Sequence, residues 1–349
     1  MSAPSLPALR GALLALVAAG LFGISTPLVQ RFGIEVGAFS TAALLYAGAA
    51  VVGVLSRRGA AREARVVRGD YARLAAVALF GAVIGPVALA WGLQRTSGTS
   101  ASLLLTLEAL FTAVLAWRIY GETMDRRVAV AMFLLLAGGV VLVLDRGSMG
   151  GAQLWGTLAV LLATAAWGMD NTLSRALAER DPGQVVMIKA ALGATATGVI
   201  GQLLGEPAPS WSAALALFLV GATGYGLSLR FYLLAQRAFG AARTGSVFAL
   251  APFIGALVAF ILGDRSASAA MLAGGGFMLV GVMFHLAESH HHEHLHDAVQ
   301  HEHAHRHDDG HHEHVHAELA NAEHSHAHTH APTRHAHPHV PDAHHGHRH

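Results

Sequence analysis

The sequence predicts an all-α membrane protein: ten transmembrane helices as two inverted five-helix repeats, followed by a His-rich tail without fixed structure. Three observations carry this. The 349 residues are 53% hydrophobic and 13% charged, with 39 Gly, whereas soluble domains carry about 25% charged residues. Ten stretches approach the roughly 20 apolar residues that a helix needs to cross a bilayer: 9–29, 36–55, 73–93, 99–117, 128–145, 153–174, 184–204, 212–233, 243–262 and 268–287. Finally, Gln94–Glu122 lies over Gln236–Asp264 without a gap at a constant offset of 142.

The first stretch follows Arg10 and could pass for a signal peptide. Nine further spans and the polar Ser25-Thr26-Pro27 within it favour an uncleaved helix. Pro27 is expected to free a backbone carbonyl and either break that helix at a binding site or kink it for packing alone. Trp91 and Gln94 close the third span, and Trp91 suits an interfacial anchor as well as a cavity wall. Glu108 falls mid-way along the fourth. The glycines of Gly138-Gly139 and Gly274–Gly276 suit close helix packing rather than binding. Asp170-Asn171 lies in the sixth, Lys189 in the seventh, Tyr225 and Arg230 in the eighth, and Pro252 in the ninth. No stretch alternates as a barrel strand would.

The two long matching segments open on Gln-Arg and close on Gly121-Glu122 and Gly263-Asp264. A second match joins Leu21–Phe32 to Ala166–Leu177, each with aromatic-Gly, a polar cluster and Leu. The expected units are 1–147, 148–288 and the tail 289–349. An odd number of spans per half puts the halves in opposite orientations, a plan common in secondary transporters. With the N-terminus cytoplasmic, fifteen arginines fall in inside segments, against Arg31, Arg95, Arg146 and Arg265 outside. The positive-inside rule then places both termini in the cytoplasm. A net charge of +1 gives no basic field for nucleic acid, and the absence of Cys excludes disulfides and thiolate chemistry.

The aromatic-Gly pairs, QRTSGTSASLLLTLEALFTAVLAWRIYGE and its partner resemble the EamA-type permeases of the drug/metabolite transporter superfamily, in a branch with a His-rich C-terminal tail. The second half keeps the pattern Leu250-Ala251-Pro252-Phe253 through Gly263-Asp264. The first departs from it, with Glu108 and with Leu110 at the Pro position. The resemblance covers about residues 9–287 and implies that a small metabolite crosses a bacterial inner membrane.

Ionisable groups in a bilayer cost about 2.5–3.5 kcal/mol each at the centre on the insertion scale, so each is a functional candidate. Glu108 is a candidate for proton coupling, or else a packing partner of a neighbouring helix. Lys189, the only lysine, could hold a substrate carboxylate, pair with Asp170 or Glu108, or snorkel to the interface. Asn171, Thr26, Gln94 and Tyr225 complete the substrate or coupling candidates. The span region has no His before His285, so no metal-His or Ser/His catalytic constellation exists there and an enzyme is not expected.

The tail interleaves its histidines with acids. Imidazoles in such density suit Zn, Ni or Co ions. The metal candidates are His290, His291, His292, His294, His296, His301, His303, His305, His307, His311, His312, His314, His316, His324, His326, His328 and His330. A segment of this composition cannot bury a core and is expected to be disordered. It could buffer or sense metal, sense pH, or feed the pore of a divalent-metal transporter; a non-transporting metal-responsive sensor is a further alternative. Few metal ligands line the spans, which favours a regulatory tail on a metabolite transporter with no required cofactor.

Overall fold

The computed structural model describes residues 6–57, 64–120, 126–147, 150–177, 180–239, 241–286, 290–296, 299–305, 324–330 and 333–339. The described residues up to 286 are helical or lie in the turns between helices. Among the described residues, eight helical segments are long and apolar enough to cross a membrane, and two shorter apolar helices follow at Ala251–Ile261 and Ala269–Phe284.

The chain runs through α1 (Leu6–Gly33), α2 (Ala38–Ser56), α3 (Tyr71–Ala78) and α4 (Gly85–Leu93), with α3 and α4 joined by a π-helical segment, Leu79–Ile84. It continues through α5 (Gly98–Leu104), α6 (Leu107–Tyr120) and α7 (Arg126–Gly147). Next come α8 (Gly151–Ser174), α9 (Pro182–Leu203) and α10 (Trp211–Val220). A second π segment, Gly221–Leu227, leads into α11 (Ser228–Phe239). The helices α12 (Ala241–Phe248), α13 (Ala251–Ile261) and α14 (Ala269–Leu286) complete the body.

Two expectations about helix breaks change. First, α1 runs unbroken through Pro27. The Pro frees the Gly23 carbonyl one turn back, and a Cβ on Gly255 of α13 would come within 2.8 Å of that oxygen. Close packing against α13 accommodates the Pro without a break. Second, the irregularities lie elsewhere, in the π segments Leu79–Ile84 and Gly221–Leu227 and in the turns that divide the expected fourth and ninth stretches. The ninth span divides at Ala249–Leu250, just before Pro252 in the first turn of α13, where Pro is pre-organised for a helix start. The fourth divides at Leu105–Thr106 with no Pro, and Glu108 enters the first turn of α6 instead. A carboxylate there faces the positive end of the helix dipole.

Gly263 and Gly205 adopt φ of 107° and 71°. Each ends a helix with the Schellman pattern that favours glycine: Asp264 N–H to Ala259 O and Gly263 N–H to Phe260 O, then Glu206 N–H to Gly201 O and Gly205 N–H to Gln202 O. The acid that follows reaches into the first half. Asp264 Oδ2 accepts from Thr99 N (2.9 Å) and Thr99 Oγ1 (2.8 Å) at the start of α5. The Glu206 carboxylate accepts from Phe39 N (3.1 Å), Ser40 N and Ser40 Oγ (both 2.7 Å) at the start of α2. Each carboxylate thus satisfies orphan amides at a helix N-terminus. The other Gly-acid closure, Gly121-Glu122, lies outside the described residues.

Although burial of Asp264 opposes its charge, hydrogen bonds from Ser266 and Thr99 hold its carboxyl below the usual carboxylate range. Such a group stabilises the fold above its unfolded pKa, and that contribution disappears as pH falls through the lowered native value. Melting in detergent should therefore show a stability loss below about pH 4 that Asp264→Asn reduces. An unchanged acid profile in the variant would remove this contact from the account.

Small residues set the remaining approaches. A Cβ on Gly138 would sit 2.6 Å from Gly274 O, and one on Gly274 would sit 3.0 Å from Gly138 O, so α7 and α14 cross almost backbone to backbone. Among the described residues of the tail, four strands pair: β1 (His290–His296), β2 (Val299–His305), β3 (His324–His330) and β4 (Thr333–His339). They form two antiparallel ribbons, β2 with β3 and β1 with β4. The alternation of His with another residue is the period of a strand. His307, His311, His312, His314 and His316 lie outside the described residues.

Candidate functional site

The charged residues of the spans meet where the helices are irregular. Lys189 of α9 and Asp170 of α8 form a hydrogen-bonded ion pair, and both residues are buried, at 7% and 5% exposure. Ser174 Oγ also donates to Asp170 Oδ1 at 3.2 Å. Pairing offsets the desolvation that either charge would suffer alone. One residue on, Asn171 donates from Nδ2 to Glu108 Oε1. Glu108 is half-buried and Asn171 exposed, so this second pair is the more open of the two.

The π segment of the third span closes over the ion pair. A Cβ on Gly81 would lie 2.7 Å from Lys189 Nζ and closer still to Asp170 Oδ2. The Gly81 carbonyl accepts from the Tyr46 hydroxyl and from Trp167 Nε1, the latter at 3.1 Å. The second π segment treats α1 in a related way, since a Cβ on Gly224 would come 3.0 Å from Ser25 Oγ and closer to its Cβ. Ser25 and Asp170 occupy the same place in the two aromatic-Gly segments, Phe22–Thr26 and Trp167–Asn171. In one half that place holds a hydroxyl, and in the other a charge with its lysine.

Aromatic rings connect the two places. Phe22 lies edge-on to Trp167 (centroids 5.9 Å) and Tyr225 (5.8 Å), and Tyr46 lies 5.6 Å from Tyr225. Phe248 extends the group, 5.4 Å from Phe22 and 5.0 Å from Tyr232. The Tyr225 side chain is buried, and its hydroxyl has the Ser25 side chain as a hydrogen-bonding neighbour. Thr26 is buried on α1 beside Ser25.

Gln94 does not join this group. Its Nε2 donates to Gly33 O (3.0 Å) and Val36 O (2.9 Å), clamping the α1–α2 turn. Gln30 answers from α1, donating to Leu93 O and Thr96 O. Trp91 is turned outward, with the Arg95 guanidinium 3.7 Å above its ring, as an interfacial anchor would be. Reasoning from the sequence missed Tyr46, Trp167 and Gly81. A partial signal existed for Trp167 in the aromatic-Gly pair, and none for Tyr46. Among the described residues, no group of three His, Asp or Glu converges where it could hold a metal ion.

Gly81→Ala should drive a methyl into the ion pair and lower thermal stability. Gly20→Ala is the control: its added Cβ meets nothing within 4 Å, so it should be neutral or stabilising by about 0.5–1 kcal/mol. Equal behaviour of the two variants in melting would contradict the close fit at Gly81.

Apolar helices of membrane-crossing length, broken at mid-course around paired charges, define a multi-pass membrane protein of the transporter class. The chain belongs to the EamA-like transporter family, whose model matches residues 9–144 and 154–287. A protein of Methanothermobacter thermautotrophicus described as an uncharacterized transporter is 30% identical over 239 residues, covering 66% of this chain and 69% of its own. A solved crystal structure shares the fold at a TM-score of 0.59 and 20% identity, over 81% of this chain and 96% of that one.

Proposed function

We propose that this protein is a secondary transporter that moves a small organic metabolite across a bacterial inner membrane by alternating access. The observation that carries the proposal is the meeting of Asp170–Lys189 and Glu108–Asn171 beside a π segment and a broken helix. Discontinuous helices with charged groups at mid-membrane are the usual material of transporter binding sites. In this reading ten spans form two inverted repeats, 1–147 and 148–288, that rock about the site. The π segments and helix breaks recurring in the third and fourth spans of each half support it.

Glu108 is the coupling carboxylate. It is exchangeable because its partner is the neutral amide of Asn171, whereas Asp170 is committed to Lys189. The aromatic group around Phe22 and Tyr225 receives the apolar part of the substrate, and Thr26 and the Tyr225 hydroxyl its neutral polar groups. The arginine bias supports cytoplasmic termini. The tail binds divalent metal as a regulatory element on that side. Substrate-dependent uptake by the purified chain in proteoliposomes tests the proposal, with the metabolite chosen from pools altered in a deletion strain. Saturable uptake supports it, and absence of flux from a folded preparation overturns it.

A further inference from the structure

One helix of each half runs along the other and is fastened to it at both ends: α2 of the first half and α9 of the second. Where α2 begins, the Glu206 carboxylate just beyond α9 accepts from Phe39 N, Ser40 N and Ser40 Oγ. Further along, a Cβ on Gly198 would lie 3.7 Å from Ala43 Cβ, and one on Gly53 would lie 2.7 Å from Met187 Cα. Where α2 stops, Arg57 Nε lies 3.7 Å from Oδ2 of Asp181, the residue that caps α9. The segment after α2 adds three contacts around the start of α9: Asp181 N–H to Ala64 O (2.8 Å), Val66 N–H to Gln184 Oε1 (2.9 Å) and Arg180 Nε to Asp70 Oδ2 (2.8 Å). Asp70 and Asp181 are both buried, so parting the helices here would strand buried charge.

The helices α5 and α13 also join the halves, at the end of the bundle where α1 stops, and their fastening is lighter. Gly98 of α5 approaches Gln30 of α1 and Ala259 of α13, and Asp264 beyond α13 accepts from the amide and hydroxyl of Thr99. Asp264 is half-buried between the exposed Gly263 and Arg265, so its carboxylate meets water once released. At the twin positions, offset by 142, Ala241 stands in the place of Thr99 and offers no hydroxyl. We propose that α2 and α9 stay joined throughout the transport cycle as a fixed spine, and that the halves part between α5 and α13, with Asp264–Thr99 as the latch. Opening the spine at its α9 start would cost buried charge contacts, whereas opening the latch hands one carboxylate to solvent. The inference rests on the transport reading and adds where the two halves separate.

The chain has no Cys, so introduced cysteines report alone. A Cβ on Gly98 would lie 3.4 Å from Ala259 Cβ across the latch, and one on Gly198 lies 3.7 Å from Ala43 Cβ within the spine; disulfides form at Cβ separations of about 3.5–4.5 Å. G98C/A259C and A43C/G198C are made in the full chain, reconstituted and oxidised with copper phenanthroline. Both should cross-link. Oxidised G98C/A259C should lose counterflow and regain it on reduction, while oxidised A43C/G198C should keep the counterflow of its reduced form. Undiminished counterflow through the locked latch, loss in the locked spine, or failure of either pair to cross-link overturns the proposal. A259C alone gives a readout that needs no substrate. Ala259 is 2% exposed, so a membrane-impermeant maleimide should react with A259C only when the latch parts. Adding Thr99→Val, which removes the hydroxyl contact, should raise the labelling rate severalfold without changing the melting of the helical body. An unchanged rate overturns the latch even where counterflow is intact. A raised rate with no flux of any solute supports the latch and overturns the transport reading instead.

Discussion

Glu108→Gln should abolish accumulation driven by a pH gradient while leaving exchange of substrate for substrate across the same vesicles intact. Glutamine keeps the length of the side chain and can still meet Asn171, so the position of α6 is preserved. It cannot carry a proton through the cycle. The site therefore still binds and still turns, but a proton gradient no longer drives it. Uptake into proteoliposomes with an imposed pH gradient, set beside counterflow with none, separates these effects. Full gradient-driven uptake by the variant would take Glu108 out of the coupling mechanism. Loss of both activities would make it a structural or substrate-binding group instead.

Breaking the Asp170–Lys189 pair should have the largest effect on stability. Asp170→Asn leaves a buried ammonium, and Lys189→Gln a buried carboxylate, each without its counter-charge. Removing one member of a buried pair costs about 3–5 kcal/mol, whereas neutralising both is often nearly neutral. Each single variant should therefore melt well below the wild type in detergent. D170N/K189Q should recover most of the difference because no unpaired charge remains. Single variants as stable as the wild type would mean that water or lipid headgroups already reach the pair. The same three variants in the flux assay show whether the pair also serves transport, since the stable double variant separates function from folding.

The spans were legible because a bilayer-crossing helix leaves a long apolar run. Their internal geometry was less so. Pro27 looks like a break and is not one, because Gly255 lets α13 pack over the affected turn. The π segments at Leu79–Ile84 and Gly221–Leu227 left no usable signal, since glycine serves close packing and backbone irregularity alike. Asp170, Lys189, Glu108 and Asn171 stood out because charge and amide are scarce in such runs, and an Asp170–Lys189 pair was among the readings they allowed. Which partner each takes depends on how three separate helices, α6, α8 and α9, rotate against one another, which no spacing within one helix encodes. Gln94 illustrates the opposite error: a polar residue at a span end invites a functional reading, but its amide is used up on the carbonyls of Gly33 and Val36. Hydropathy located Glu108 at mid-span, and only the break at Leu105–Thr106 makes it a helix-start residue.

The proposal as a whole turns on whether this chain catalyses movement of a solute. The most direct measurement is counterflow: proteoliposomes holding the purified chain are loaded with unlabelled metabolite and diluted into a trace of the labelled form. Alternating access predicts a transient, saturable accumulation of label that depends on the internal load. No accumulation from a folded preparation, across the metabolite pools altered in the deletion strain, would contradict it and leave a metal-responsive membrane sensor as the better account.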